Sequence, residues 1–336
     1  MCDISAMTTP DHEQLAPSAR PRKRATSEDV ARASGVSRAT VSYVLNNAEG
    51  RNISEQTRRL VHETAKRLGH VPFAPARALS SGRSDIVLAL VPGFTLGYVF
   101  EQGLEALDVA LAERGAALMV HRHLESVRHL SDLWKLVSPE LVVTTGGLSE
   151  PEVESIGDSD ARLVDIGSIV PHRTLGRAQA EHLIERGHRR IGFGFPKDEN
   201  LREFATQRLA GVRDACAAHG LPAPVPRDIA FDQEGAREAI EAWREVDDVT
   251  AVCAHNDDVA LVIMATATAR GLRVPQDLAV MGIDNIPMSG IGLTTIGIDT
   301  PAWSRTVVEY VLNALEGRPA PRRDESLYRL VERTSV

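Results

Sequence analysis

The chain has 336 residues, a formal net charge of −8 and a composition that is 43% hydrophobic, which suits a globular protein of more than one domain. It contains no uninterrupted apolar run of about 18 residues, so no transmembrane helix is expected, and no secretory apolar core stands near its start. Cys2, Cys216 and Cys253 are too few and too scattered for a disulfide framework or a zinc site, and they suit a reduced cytoplasm.

Overall acidity argues against nucleic acid until the charge is mapped along the chain. Between Arg20 and Arg83, thirteen Lys and Arg stand against five Asp and Glu, and the segment from Ser84 onward is strongly acidic. A basic head on an acidic body is the footprint of a DNA-binding segment. Residues 1–24 lack hydrophobic periodicity and carry Pro10 and Pro17, so a disordered tail is expected there. Its basic end, Pro21 to Arg24, reads as a solvated arm that adds salt-dependent attraction to phosphates.

From Thr26 to Asn46 the sequence TSEDVARASGVSRATVSYVLN reads as two short helices joined at Gly35, a helix-turn-helix. Thr26 or Ser27 caps the first, with Glu28 and Asp29 in its first turn and Val30 and Ala33 facing inward. Ser37 caps the second, whose Val41, Val44 and Leu45 face inward while Arg38, Ala39, Ser42 and Tyr43 face out. A third helix, SEQTRRLVHETAKRLG, opens at Ser54, carries Leu60, Val61, Ala65 and Leu68 on one stripe and stops at Gly69. Residues 25–71 therefore form an all-α headpiece. In residues 72–83, Pro72 and Pro75 precede Ala76 to Ser81, a run long enough for about one and a half helical turns. A helix that short is marginal in water and forms on DNA or a partner.

This order of parts resembles the LacI family of bacterial transcriptional regulators. The residues that carry the resemblance are DVARASGVSRATVSYVLN, then SEQTRRLVHETAKRLGHVP, then ARALSSGRS at the hinge. It implies that Arg38, Ala39 and Tyr43 read bases in the major groove, with Ser37, Thr40, Ser42 and Asn46 near phosphates or base edges. Thr26, Ser27, Ser54 and Thr57 join the implied DNA contacts. Leu79 takes the place of a wedge that two subunits insert into a central minor-groove step, flanked by Ala76 and Arg77. Phe73 stands where the family usually has Asn, and the loop NNAEGRNI is longer than usual, bringing Arg51 and Asn52 near the backbone.

Residues 84–336 alternate apolar runs with helical periods. Strands are expected in DIVLALVPG, AALMVHRH, ELVVTTGG and ARLVDIG, and again in RRIGFGFP, RDIAFD, TAVCAHND and DLAVMGID. Helices are expected in VFEQGLEALDVALAERG, VRHLSDLWKLVS, QAEHLIERG, RLAGVRDACAAHG, GAREAIEAWREV and ALVIMATATARG. Such alternation predicts an α/β effector domain of two doubly wound parallel-sheet subdomains, with a cleft at the carboxyl ends of the strands. The family resemblance implies a periplasmic-binding-protein-like architecture. Its crossings between subdomains fall near residues 171–176, 297–302 and 319–323, and LYRLVERTSV closes the second sheet.

Cleft chemistry is expected from Arg208, which the resemblance makes a fork onto hydroxyls or a carboxylate, and from Asn256, Asp257 and Asp284 at strand ends. The competing reading makes Asp257 a helix cap and pairs Arg208 with Asp284 as structural support. Phe94 and Tyr98, in PGFTLGYVF, are candidate aromatic walls; Phe100 suits core. The family's ligand-holding Asp-Asn is replaced by Val170 and Pro171, and residues 165–173 are shorter than usual, so a strand or loop is expected to be missing. His121 and His123 share a strand face without a third ligand, so no metal is expected, and no cofactor is implied. No dinucleotide fingerprint, Walker loop or nucleophile elbow is present, so catalysis is not expected. The partners implied are an operator in double-stranded DNA, a small polar effector such as a sugar, and a second copy forming a homodimer, in a cytoplasmic, nucleoid-associated protein. The alternative is an architectural DNA binder whose effector domain ignores ligands.

Overall fold

The computed structural model describes residues 25–45, 53–70, 84–92, 97–123, 129–134, 136–159, 161–198, 201–230, 233–245, 248–322 and 324–336. These fall into two compact units, 1–83 and 84–336. Asn46, the hinge residues Ala76, Arg77 and Leu79, and Phe73 and Phe94 lie outside the described residues.

The first unit holds α1 (Ser27–Ser34), α2 (Arg38–Leu45) and α3 (Glu55–Leu68). Thr26, not Ser27, caps α1: its hydroxyl accepts from the Asp29 amide, and the Asp29 carboxylate accepts from the Thr26 amide at 2.9 Å. That reciprocal capping box satisfies two amides the helix would leave unpaired. Gly35 ends α1 at φ 69°, a left-handed conformation that costs a glycine little and lets the chain turn directly into α2. Ser37 accepts from the Thr40 amide at 3.1 Å to start α2, and Ser54 accepts from the Thr57 amide to start α3. Val30, Ala31, Val41, Val44, Val61 and Ala65 make the core. Two expectations fail here: Ala33 is exposed and Ala31 packs inward instead, and Leu60 and Leu68 are exposed while Thr64 completes the α3 stripe. At helical spacing Ala31 falls on the buried side of α1 with Val30 and Ser34, whereas Ala33 falls outside it.

The second unit begins with β1 (Ile86–Pro92), α4 (Tyr98–Ala112), β2 (Ala117–His123), α5 (Leu130–Trp134), β3 (Leu141–Thr144), α6 (Glu150–Gly157) and β4 (Arg162–Asp165). The strands pair in parallel in the order β2-β1-β3-β4. Val87, Ala89 and Val91 face one layer and Leu88 and Leu90 the other, so β1 is apolar on both faces, as a parallel sheet sandwiched by helices requires. The chain then leaves this sheet through a single 3-10 turn, Gly167–Ile169, and enters α7 (His172–Glu185). No strand intervenes, in line with the shortness of residues 165–173. The turn is tight enough to need glycine: a Cβ on Gly167 would sit 2.3 Å from the Thr145 carbonyl oxygen.

The second subdomain follows with β5 (Ile191–Pro196), α8 (Arg202–Ala218), β6 (Val225–Ile229), α9 (Gln233–Glu245), β7 (Ala251–Ala254), α10 (Asp257–Ala269), β8 (Ala279–Asp284) and β9 (Thr294–Ile298). The chain then returns to the first subdomain as α11 (Thr300–Leu315) and comes back as β10 (Tyr328–Val331). The six-stranded order is β10-β9-β8-β7-β5-β6, parallel except for β10, which runs antiparallel to β9. Strand β9 and helices α6 and α11 are not among the elements expected from the sequence pattern. The two helices carry local signals: Ser149 and Glu152 form a capping box before α6, and Asp299 caps α11 ahead of Pro301. Helix α11 packs on α4, where Trp303 lies so close to Gly103 that a Cβ there would be 2.4 Å from the indole. No helix among the described residues is long and apolar enough to cross a membrane.

Candidate DNA-reading face and effector cleft

Helix α2 buries Val41 and Val44 and leaves Arg38, Ala39 and Ser42 exposed, with Tyr43 half-buried beside them. The two buried valines are three apart and fix the helix on α1 and α3; the remaining face is thereby turned to solvent. Ser37 and Thr40 are joined hydroxyl to hydroxyl at 2.9 Å at its N-terminus, where free amides and the helix dipole favour a phosphate. Thr57 pairs in the same way with Ser54 at 2.8 Å. Ser27 is turned toward His70, its hydroxyl 3.3 Å from Nε2, and is part of the headpiece's own packing.

The cleft of the second unit is a cavity of about 430 Å³. From the first subdomain it receives Gly97, Val99, Phe100 and Thr145, and from the crossing Val170 and His172. The second subdomain supplies Asp198, Leu201, Phe204, Arg208, His255, Asn256, Asp258, Asp284 and Ile298. Most sit at the carboxyl ends of strands or the starts of the helices that follow, where a doubly wound sheet exposes its loops.

Arg208 organises the floor. It is 4% exposed, its Nε donates to Nδ1 of His172 at 3.2 Å, Nη1 donates to the His255 carbonyl, and Nη2 lies 3.9 Å from Asp284 Oδ1. All three guanidinium nitrogens are thus directed at protein groups. Because Nδ1 of His172 accepts, that ring is neutral with its proton on Nε2. Burial and the adjacent guanidinium hold its pKa down to about 2, and they push His255 well below the ordinary histidine value. His172 also stacks on Phe204 with ring centroids 4.6 Å apart. Burial pushes Asp284 up to about 7, against the pull of Arg208, and raises Asp258. Nε2 of His172, Nδ1 of His255 and the Thr145 hydroxyl are buried without a partner.

Asp257, expected in the cleft, is instead a structural carboxylate. It is fully buried and accepts from the Ile286 amide at 3.0 Å, the Ser289 hydroxyl and the Thr295 hydroxyl, tying α10 to the loops around β8 and β9. Its neighbour Asp258 lines the cavity. Asn256 lines it too, while its side chain caps α10 by accepting from the Val259 amide at 3.1 Å. Tyr98 also departs from expectation: it is 42% exposed and borders an open groove between α4 and α11, whereas Phe100 is turned to the cleft and packs edge-on against Trp303. Arg208 and Asp284 are brought together as expected. His172 and His255 were missed because both meet Arg208, 36 and 47 residues away in the chain, and Thr145 and Asp258 because only the fold brings them to the cleft. Gln179 was missed as well: its amide donates to the carbonyls of Ala254, Met281 and Gly282, holding α7 against the strand ends beneath the cleft. Among the described residues no cluster has a metal-binding arrangement.

Residues 26–72 match the family described as bacterial regulatory proteins, lacI family, and residues 180–336 match the periplasmic binding protein-like domain. Catabolite control protein A of Priestia megaterium is 30% identical over 78% of this chain and 82% of its own. The chain belongs to the lacI family. The regulator is also 29% identical to the transcriptional regulator GalR of Escherichia coli, over 88% of this chain and 91% of that protein. Among solved structures, the lac repressor dimer bound to operator and an anti-inducer superposes with a TM-score of 0.74 at 23% identity, covering 93% of this chain and 99% of that one. The complex of the regulator CelR with cellobiose gives 0.61 at 25% identity, covering 93% and 100%. The lacI-family regulator is therefore a DNA-binding transcriptional regulator with an effector-binding domain.

Proposed function

We propose that this regulator represses transcription as a homodimer on a pseudo-palindromic operator and that a small molecule in the cleft changes its affinity for that operator. The observation that carries the DNA half is the capped α2, which turns Arg38, Ala39 and Ser42 to solvent on a rigid two-valine footing. Arg38, Ala39 and Tyr43 read base edges in this reading, while Ser37, Thr40, Ser42, Asn46, Thr26, Ser27, Ser54 and Thr57 position the headpiece on phosphates or the rim of the site. Residues 72–83 act as the hinge, with Leu79 the minor-groove wedge between Ala76 and Arg77. Residues 84–336 dimerise and bind the effector. Two identical subunits then read two half-sites related by the same two-fold axis.

Arg208, Asn256 and Asp284 belong to the effector site, joined by His172, His255 and Asp258. A sealed structural cleft would pair its buried polar atoms, as Asp257 does nearby; the unpartnered atoms of His172, His255 and Thr145 favour a ligand-responsive domain over an architectural one. Ligand contact with both subdomains changes their relation and with it the hinges, and operator occupancy changes ligand affinity by the same factor. The protein works by binding in the cytoplasm and not by catalysis. Operator footprinting of the full chain against a metabolite panel tests this: a protected palindrome whose occupancy moves with one metabolite is expected, and protection indifferent to every metabolite would favour the architectural alternative.

A further inference from the structure

Phe204 stands on α8 in the second subdomain, yet the tip of its ring lies against the first. A Cβ on Gly146, two residues beyond β3, would meet Phe204 Cζ at 2.7 Å, and one on Gly167, at the crossing, would meet it at 2.9 Å. The ring is keyed into a slot that the two glycines leave open, and it is buried there. Its face stacks on His172, whose Nδ1 is held by Arg208 one turn further along α8. The helix that carries the ring is itself fixed. A Cβ on Gly176 would sit 2.0 Å from the Arg208 carbonyl oxygen, and one on Gly211 would sit 1.9 Å from that of Arg173, so α7 and α8 touch backbone to backbone. Arg173 pins the same pair by donating to Asp214 at 2.6 and 2.9 Å. The ring therefore moves as a rigid part of the second subdomain, and the subdomains cannot change their relation without moving it in its slot.

We propose that Phe204 is a latch between the two subdomains: seated between Gly146 and Gly167 it fixes the relation they have in this structure, and its displacement is the step that alters operator affinity. This rests on the reading that the relation of the subdomains governs the hinges. Phe204, His172, Arg208 and Thr145 all border the cleft, so a molecule bound there bears on the ring and on both groups that back it. Because the slot is closed around the ring tip, the subdomains have a seated and an unseated arrangement with little between them. Such a two-state element converts binding into a change of shape. Phe204 is a positioning residue, and its part is the same whichever ligand the cleft takes.

The test uses the full chain with nitroxide labels on Glu154→Cys in α6 and Glu238→Cys in α9, one exposed helix position in each subdomain, in a Cys2→Ser background; Cys216 and Cys253 are buried. Labelled chains are diluted with unlabelled ones so that the distance read is the one within a subunit. Phe204→Leu empties the slot, and Phe204→Tyr keeps the stacking ring but adds a hydroxyl where the two glycines leave no room. Ile240→Ala, a buried change within the second subdomain, controls for lost stability. The distance between labels should shift or broaden in both Phe204 variants and stay at the wild-type value in Ile240→Ala. Affinity for the duplex that the wild type selects from random DNA should change at least several-fold in the same two variants. A wild-type distance in either Phe204 variant overturns the latch. A distance that moves as far in Ile240→Ala overturns it too, since loosened packing alone would then suffice. A moved distance with wild-type affinity for DNA keeps the latch but overturns the reading that the subdomain relation governs the hinges.

Discussion

The headpiece and the effector cleft handle their polar groups in opposite ways. In the headpiece every cap closes within three residues, Thr26 with Asp29, Ser37 with Thr40 and Ser54 with Thr57, and the groups offered to DNA stand in solvent. In the cleft and the structure just behind it, buried polar groups have remote partners: Arg208 meets His172 and His255, and Asp257, outside the cleft, meets Ser289 and Thr295. A local device tolerates a substitution at modest cost, whereas a buried network transmits the loss of one member to all the others. The headpiece therefore rests on short-range capping, and the cleft on long-range contacts among buried groups.

If that contrast is right, the largest effect belongs to Arg208→Ala. It strands the His172 ring, the His255 carbonyl and Asp284 in a buried site, and a loss of about 3 to 5 kcal/mol is expected from chemical denaturation of the full chain; a loss no larger than that of a surface substitution would break the comparison. Asp257→Ala should follow at roughly 3 kcal/mol, since it leaves the Ile286 amide and two hydroxyls without an acceptor. Arg38→Ala inverts the pattern: little change in the thermal midpoint, but a loss of about 1 to 3 kcal/mol in discrimination at one half-site position, read by competition among operator variants.

A pH comparison sharpens the same contrast. The carboxyl of Asp284 has its pKa raised to about 7 in the folded cleft, so the folded state holds its proton more tightly than the unfolded chain. The stability this group contributes is complete below the ordinary aspartate value near 3.8 and is lost as pH rises through about 7. His172 and His255, lowered instead, contribute in the opposite direction as pH falls through the ordinary histidine value. Wild-type profiles blend these terms; the difference between Asp284→Asn and wild type isolates one. Its thermal midpoint relative to wild type should climb between pH 5 and pH 8, by a few degrees, and a constant difference would contradict the raised pKa. The smallest effect expected is that of Thr26→Ala, about 1 kcal/mol of headpiece stability.

The same contrast explains what could be read from the sequence. The headpiece was legible in its turns and caps because Thr26, Gly35, Ser37, Ser54 and Gly69 act on neighbours in the chain; only the choice between Ala31 and Ala33 and the exposure of Leu60 and Leu68 went astray. Most strands of the two sheets were legible because both-face burial makes β1, β5 and β7 near-continuous apolar runs. Strand β9 was not, because TTIGI is short and runs straight into α11. In the cleft, Arg208 was legible by family resemblance and Asp284 by its place at the end of a strand. Asp257 and Asp258 are adjacent, and nothing local says which is aimed at the sheet; Gly282, whose added Cβ would meet the Asp257 carboxylate at 2.0 Å, settles it only in three dimensions. His172 carries no local signal, and its role arises from a guanidinium on another helix.

The central claim, a sequence-reading regulator built on α2, is tested most directly by selecting bound sites from random duplex DNA with the full wild-type chain and with Arg38→Ala. The wild type should enrich one pseudo-palindromic motif, and Arg38→Ala the same motif with preference relaxed at a symmetric pair of positions. Recovery of no common motif, or an unchanged motif with Arg38→Ala, would contradict it.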